Sequence, residues 1–532
     1  MIRENPPVLF RAACVLTLDG PETEAFAVDG DRIRAVGDVA ALRSRFPGAR
    51  EVDLGASTVV PGLHDAHVHL VHAAEGLLHL DLSAAAVSGV ADLLDRVGAE
   101  ARTTGAGAWI RGGRYDDAKT GPLTRWDLDR VAPANPVLVV QVAGHWGVAN
   151  SRALDELGIG ESSPPPAGGE YGRSPDGRLD GRLIERALMN VVYPATARGG
   201  TALPAASPED RLRGLERVVR RWHAAGLTSI CEALVAPSDV DLLRRARDRG
   251  LLTLRVGMLL SVDHYDRARA LGVGSGFGDD FLRFVGVKAF ADGALGGRTC
   301  LLSEPYADGG HGMQTTATED LFEAVATVHR NGDRIGVHAN GDAAIHLVLD
   351  AFAAARRNAP RPGLRHRIEH CSVVDEEILL RMRELEAVAV PFAGYVAYHG
   401  DALNRWYGPS RTERMFAHRS FLDAGVTVAG SSDHPCGPYE PLVGVQSMVT
   451  RRGLGDGAPV GLAQRVSVEE ALGVYTTGSA EADGVASTRG RLAPGYAADF
   501  VVLGENPLTA DPYGIASIPV LATYVAGRRV HG

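Results

Sequence analysis

The strongest constraint on the fold is a repeated pairing of apolar, β-branched runs with amphipathic helical stretches. The runs are LTSICEALV (227–235), LLTLRVGMLL (251–260), LRFVGVKAF (282–290), RIGVHAN (334–340), RHRIEHC (365–371), EAVAVPF (386–392) and VTVAGSSD (426–433). With STVVPGLHDAHVHL they make eight. Between them lie Ala-, Leu- and Arg-rich stretches such as EDLFEAVATVHRNG. Strands alternating with helices predict a parallel sheet in an α/β protein. Eight such units predict a (β/α)8 TIM-like barrel.

The ends of the chain follow a different rhythm. Short β-like segments fill the first 60 residues, and VDGDRIRAVG alternates around an Asp-Gly hairpin turn. The C-terminus repeats the style in DFVVLGENP and PVLATYVAGRRVHG. Chain ends commonly lie close together, so residues 1–60 and 486–532 are expected to form one small composite β-sandwich domain. Residues 61–485 are expected to form the barrel. One interval exceeds what a helix and its loops need: an inserted subdomain is expected at about 72–220, with a mobile Pro/Gly-rich loop near 160–181.

Composition excludes more than it specifies. Lys and Arg number 55 against 65 Asp and Glu, and no basic stripe is present to neutralise phosphates, so nucleic acid is not an expected partner. No apolar run reaches the roughly 18–20 residues that span a bilayer, so no membrane is expected. The opening segment has no apolar stretch long enough for a secretory signal, which makes the cytoplasm the expected compartment. Cys14, Cys231, Cys300, Cys371 and Cys436 are scattered and never paired as C-x-x-C, so neither a disulfide framework nor a thiolate metal site is expected.

Active sites on this fold form at the C-terminal ends of the strands. Five runs end in unusual polar residues: His67 and His69, Lys288, His338, Glu369 and His370, and Asp433. His67 and His69 share one face of an extended strand and can bind one cation, although an isolated H-x-H is as simply read as solvated loop histidines. His338 and His370 taken singly fit satisfied core residues, and Asp433 a turn cap. Lys288 discriminates, because an ammonium inside an apolar strand is costly and costlier still beside a cation. A neutral amine or an anionic carbamate relieves that cost; a lysine snorkelling from the strand end is the other reading.

Taken in order, these residues resemble the amidohydrolase superfamily, with VVPGLHDAHVHL as the first-strand motif. GVKAFADGALGGRT, VHANGDAAIHLVLDA, HRIEH, SSDHP and AGHWGVANSRAL are similar to the branch containing N-substituted formamide deformylase. The resemblance implies a hydrolase acting on carbon–nitrogen bonds other than peptide bonds, of the N-acyl or N-formyl amine type, through metal-activated water. His67 and His69 would hold one metal with Asp433, His338 and His370 a second, and Lys288 as a carbamate would bridge them. Two Zn2+ ions are implied, or one metal if Lys288 is unmodified. Asp433 would shuttle the proton and His145 would stabilise the oxyanion, although a structural histidine next to Trp146 is an equal reading. Trp146, Asp292 and Arg298 would contact a small-molecule substrate, and homo-oligomers are common in the superfamily. The alternatives are deamination or ring opening on the same site, and a non-catalytic metal-binding barrel.

Overall fold

The computed structural model describes residues 7–193, 203–307, 309–454 and 457–532. Seven parallel strands stand side by side in chain order: Leu63–Val68, Leu227–Val235, Arg255–Ser261, Leu282–Phe290, Ile335–Ala339, Arg367–His370 and Val388–Pro391. They are buried along almost their whole length, as strands covered on both faces must be. The run 426–433 closes the circle as the eighth member. It forms isolated parallel bridges, Ala389 with Val428 and Phe392 with Ser431, on one side. On the other, the Ala66 and Asp433 amides donate to Gly430 and His67 carbonyls at 2.8 and 2.9 Å. The expected (β/α)8 barrel is therefore present, its last strand pinned at a few points rather than by a full ladder.

The helices form where capping chemistry and apolar spacing agree. Helix Pro208–Ala224 starts at Ser207, whose hydroxyl accepts the Asp210 amide at 3.1 Å, with Pro208 in the first turn. Leu212, Leu215, Val218, Val219 and Trp222 lie on one face and are buried in the barrel core. The expected insertion at about 72–220 thus extends too far: this helix packs on Leu70–Gly76 and the second barrel strand and belongs to the barrel. The inserted sheet has six strands: Leu80–Asp81, Ile110–Tyr115, Val137–Gln141, Trp146–Ala149, Gly169–Arg173 and Leu179–Glu185. The stretch 160–181, read from its composition as a loop, supplies Gly169–Arg173 and the start of Leu179–Glu185. These pair antiparallel, with Glu170 opposite Ile184.

Both chain ends meet in one eight-stranded sheet, where Phe500–Leu503 pairs with Thr58–Pro61. Phe10 and Phe26 from the N-terminal strands stack at 5.2 Å, and Phe26 meets Phe500 edge-on at 4.9 Å. Phe500 in turn stacks on Tyr524 at 4.3 Å, so the composite domain has an aromatic core drawn from both termini. It is fastened to the barrel by Arg255, whose Nε and Nη2 donate to Asp499 at 2.6 and 3.0 Å. Both side chains are almost completely enclosed. Arg255→Met leaves the Asp499 carboxylate without its counter-charge and should cost about 3 kcal/mol or more. The check is the midpoint of denaturant unfolding, with metal content unchanged because this contact lies at the N-terminal end of the third strand.

Candidate metal centre

At the opposite end of the barrel, His67, His69, Lys288, His338, His370 and Asp433 all line one cavity of about 430 Å3. The structure draws three of them tightest: one donor atom each of His67, His370 and Asp433 lies within 4.8 Å of the others. This grouping joins His370, expected in the second ligand set, to His67 and Asp433 of the first. His69 Nε2 lies 3.1 Å from Asp433 Oδ1, and His67 Nε2 lies 3.5 Å from the same oxygen. His338 sits beside His370 with ring centroids 4.5 Å apart, and its Nε2 faces the Gly293 carbonyl at 3.0 Å.

A chain of buried charges aims His67. Its Nδ1 lies 2.5 Å from Glu369 Oε2. Glu369 is gripped by Arg367, Nε to Oε1 at 2.8 Å and Nη2 to Oε2 at 3.0 Å. Arg367 Nη1 donates to Asp483 at 2.8 Å, and Asp483 meets His64 Nε2 at 3.0 Å. Burial alone would raise the Glu369 carboxyl, but Arg367, His67 and Lys288 outweigh it and hold the group well below the usual carboxylate range. An ionised Glu369 keeps the His67 proton on Nδ1, which leaves Nε2 as a lone pair facing the cavity. Asp65, at the same strand end, accepts the His67 and Ser432 amides at 3.1 and 3.2 Å and so ties the first run to the eighth.

The donor set fits a divalent metal on its own evidence. Among the described residues, His67 Nε2, His69 Nδ1 and His370 Nδ1 are buried ring nitrogens with no hydrogen-bond partner, a costly state unless something binds them. Burial would raise the Asp433 carboxyl, yet the His69 hydrogen bond and the charges of His67, His69 and Lys288 lower it to about 2. Asp433 is therefore an anion beside two imidazoles. Nitrogen and carboxylate donors of this kind suit zinc and its first-row neighbours. His370 and Asp433 also have left-handed backbone, φ 70° and 51°, which ends each strand abruptly and turns the side chain inward.

Lys288 is 1% exposed, with its Nζ 5.0 Å from the Phe290 ring centroid. Among the described residues no carboxylate pairs with it. Burial lowers its ammonium to about 8, against the opposing pull of Glu369 and Asp433. His145 lines the same cavity; its Nδ1 lies 2.7 Å from Glu185 Oε2, and its ring stands 5.0 Å from that of His338.

The other three sequence-predicted residues stand back from the cavity wall. Trp146 packs edge-on against Tyr115 at 5.9 Å. Asp292 is fully enclosed and accepts the Asn340, Gly341 and Leu301 amides at 3.0, 2.9 and 2.8 Å, pinning two loops together. Arg298 lies in the same loop, its amide donating to the Leu295 carbonyl at 3.1 Å. None of the three is among the residues lining the cavity.

Sequence reasoning named Glu369 at its strand end without a role, and missed Arg367 and Glu232 as site residues. Glu232 Oε1 lies 3.9 Å from His69 Nδ1, and its Oε2 accepts the Val71 amide at 3.1 Å. Each is a charged residue inside an apolar strand run, the signal that singled out Lys288. Glu369→Gln removes the charge that orders His67 and should weaken metal retention about ten- to hundredfold, while His67→Ala should abolish it. Metal analysis after graded dialysis measures both.

The chain matches the "Amidohydrolase family" over residues 50–531 and an imidazolonepropionase-like bacterial composite domain over residues 25–49. It is 32% identical to N-substituted formamide deformylase of Arthrobacter pascens over 97% of this chain and 96% of that one. Among solved structures, uncharacterized metal-dependent hydrolases of Pyrococcus horikoshii and Pyrococcus furiosus superpose with TM-scores of 0.76 and 0.73. They do so at 24% and 27% identity, covering 95% and 94% of this chain and 99% and 100% of theirs. The fold, the buried donor cluster and the family match agree: this chain belongs to the amidohydrolase family.

Proposed function

We propose that the protein is a metal-dependent hydrolase that cleaves the C–N bond of an N-acyl amine with a small acyl group, formyl above all. The observation that carries this reading is the position of the donor cluster. His145, His338, His370 and Asp433 line both the 430 Å3 cavity and a second one of about 20 Å3. The small cavity, walled by Phe392, Tyr395 and Trp406, suits a hydrogen or methyl on the carbonyl carbon. The large one suits the amine part. The Arthrobacter relative, an N-substituted formamide deformylase, points to the same bond.

His67, His69, His338, His370 and Asp433 would hold the metal, with zinc the best fit to the donors. When bound, it supplies a Lewis acid for the carbonyl and lowers the pKa of water at the site. Asp433 Oδ1 accepts the proton of the attacking water and passes it to the leaving nitrogen. His145, held by Glu185, stands on the cavity wall where its outer ring nitrogen can face the developing oxyanion. Lys288 is read as a carbamate: its neutral amine adds to CO2, an N–C bond forms and one proton leaves. The product is an anion suited to lie between two cations. What supports this is a buried lysine with no carboxylate partner among the described residues.

Metal-loaded protein should release formate or acetate from N-acyl amines, and chelation should abolish turnover until metal is restored. Asp433→Asn should lower kcat roughly a thousandfold. Ammonia release from a cyclic or amino-substituted substrate would move the reading to deamination, and no turnover of any amide, ester or cyclic compound would remove it. With 13C-bicarbonate, a carbamate carbon signal should appear in the wild type and vanish in Lys288→Ala. Bound metal should then fall from about two equivalents to one or fewer.

A further inference from the structure

The large cavity carries positive charge that the chemistry above leaves unused. Outside the metal centre two carboxylates line it, and both are taken. Glu75 is held by Arg211 at 2.7 Å, and Asp81 by Arg114 at 3.4 Å. Arg111 and Arg221 line the same cavity and make no ion pair or side-chain hydrogen bond among the described residues. Arg111 comes from the inserted strand Ile110–Tyr115, where Ile110 and Gly112 face the subdomain core and Arg111 the other side. Burial lowers its guanidinium from the ordinary value, with Glu75 acting on it only from a distance. A half-buried guanidinium facing a cavity without a partner is the state expected of a ligand-binding arginine.

Its place relative to the metal centre is fixed by two rings. His69 and His72 have centroids 5.3 Å apart, and His72 and Tyr193 4.4 Å apart. The Arg111 charge acts on both His72 and Tyr193. Arg111 lines the large cavity together with His69, His72 and Tyr193 and is not in the small one, so it stands on the side that would take the amine part. Val140, Val218, Trp222 and Leu234 supply apolar wall between.

We propose that the substrate is an N-acyl amine whose amine part bears a carboxylate, bound by Arg111, with Arg221 drawing the anion in at the mouth. This rests on the hydrolase reading above and narrows it from any N-acyl amine to one of N-acyl amino acid type. The carboxylate meets the guanidinium, the side chain meets the apolar wall, and the acyl group reaches the metal centre.

The test compares N-formylphenylalanine, each enantiomer, with N-formylphenethylamine, which differs only in lacking the carboxylate. The wild type should favour one carboxylated enantiomer by about tenfold or more in kcat/KM. Arg111→Gln should lose that preference mainly through KM and leave the neutral compound within about threefold. Arg111→Lys, which keeps the charge, should recover part of it. Calorimetric binding of the same compounds to metal-depleted protein gives a readout independent of turnover. If neither compound is hydrolysed yet the carboxylated one binds the wild type and not Arg111→Gln, the reaction assignment fails and the anion site stands. Equal binding and turnover of the carboxylated and neutral compounds, or an Arg111→Gln loss shared equally by both, overturns the proposal.

Discussion

The guanidinium of Arg367, wholly enclosed in the barrel, is the contact on which the rest of the site leans. It binds Glu369 through two nitrogens, Asp483 through a third, and the Ala66 carbonyl at 2.6 Å. These groups belong to the sixth strand, to the helix end near 483 and to the first strand. One side chain thereby sets the relative position of the strands that carry His67 and His370. Room for it is made by two small residues. A Cβ on Gly336 would run into the Glu369 carboxylate, and one on Gly257 would lie 2.7 Å from Asp483 Oδ2. A buried ion network is seldom a net source of stability, but breaking it is severe, because each remaining charge is left in a low-dielectric interior. What this network contributes is direction: it fixes which nitrogen of His67 faces the cavity.

Strain and uncompensated charge accumulate around the same point. His370, Cys371 and Asp433 hold left-handed backbone at φ 70°, 40° and 51°. Among the described residues three ring nitrogens, His67 Nε2, His69 Nδ1 and His370 Nδ1, lack hydrogen-bond partners, and a buried lysine lacks a carboxylate. The surrounding barrel, apolar and tightly enclosed, over-determines these positions. A folded chain tolerates such a concentration of costs where ligands or substrate complete it.

The inserted subdomain and the barrel divide the work. In the proposed reaction the barrel would supply the metal donors and the proton carrier from strand ends, which are rigid. The insertion forms a six-stranded sheet and contributes His145, Glu185 and Arg111 to the cavity or its support. On that proposal the chemistry would rest on the barrel and selectivity on the insertion.

Much of this was legible in the residues alone. Apolar runs of strand length, repeated eight times and separated by amphipathic helices, have no other economical packing than a closed parallel sheet. A lysine and histidines at the ends of those runs then mark the open face. The β-like segments at the two termini likewise led to the expectation that they share one domain. What the order of residues could not determine was which side chains meet. Arg367 and Glu369 lie two apart on one strand, while their partners His67 and Asp483 are about 300 and 116 residues distant. Only closure of the barrel brings them within hydrogen-bond range. Trp146, Asp292 and Arg298 were expected at the substrate beside His145, yet of the four only His145 lines the cavity; Trp146 packs on Tyr115, and Asp292 is held in a cage of backbone amides. Strand period and burial cost are local properties that a sequence records; the convergence of distant charges depends on loop closure, which it does not.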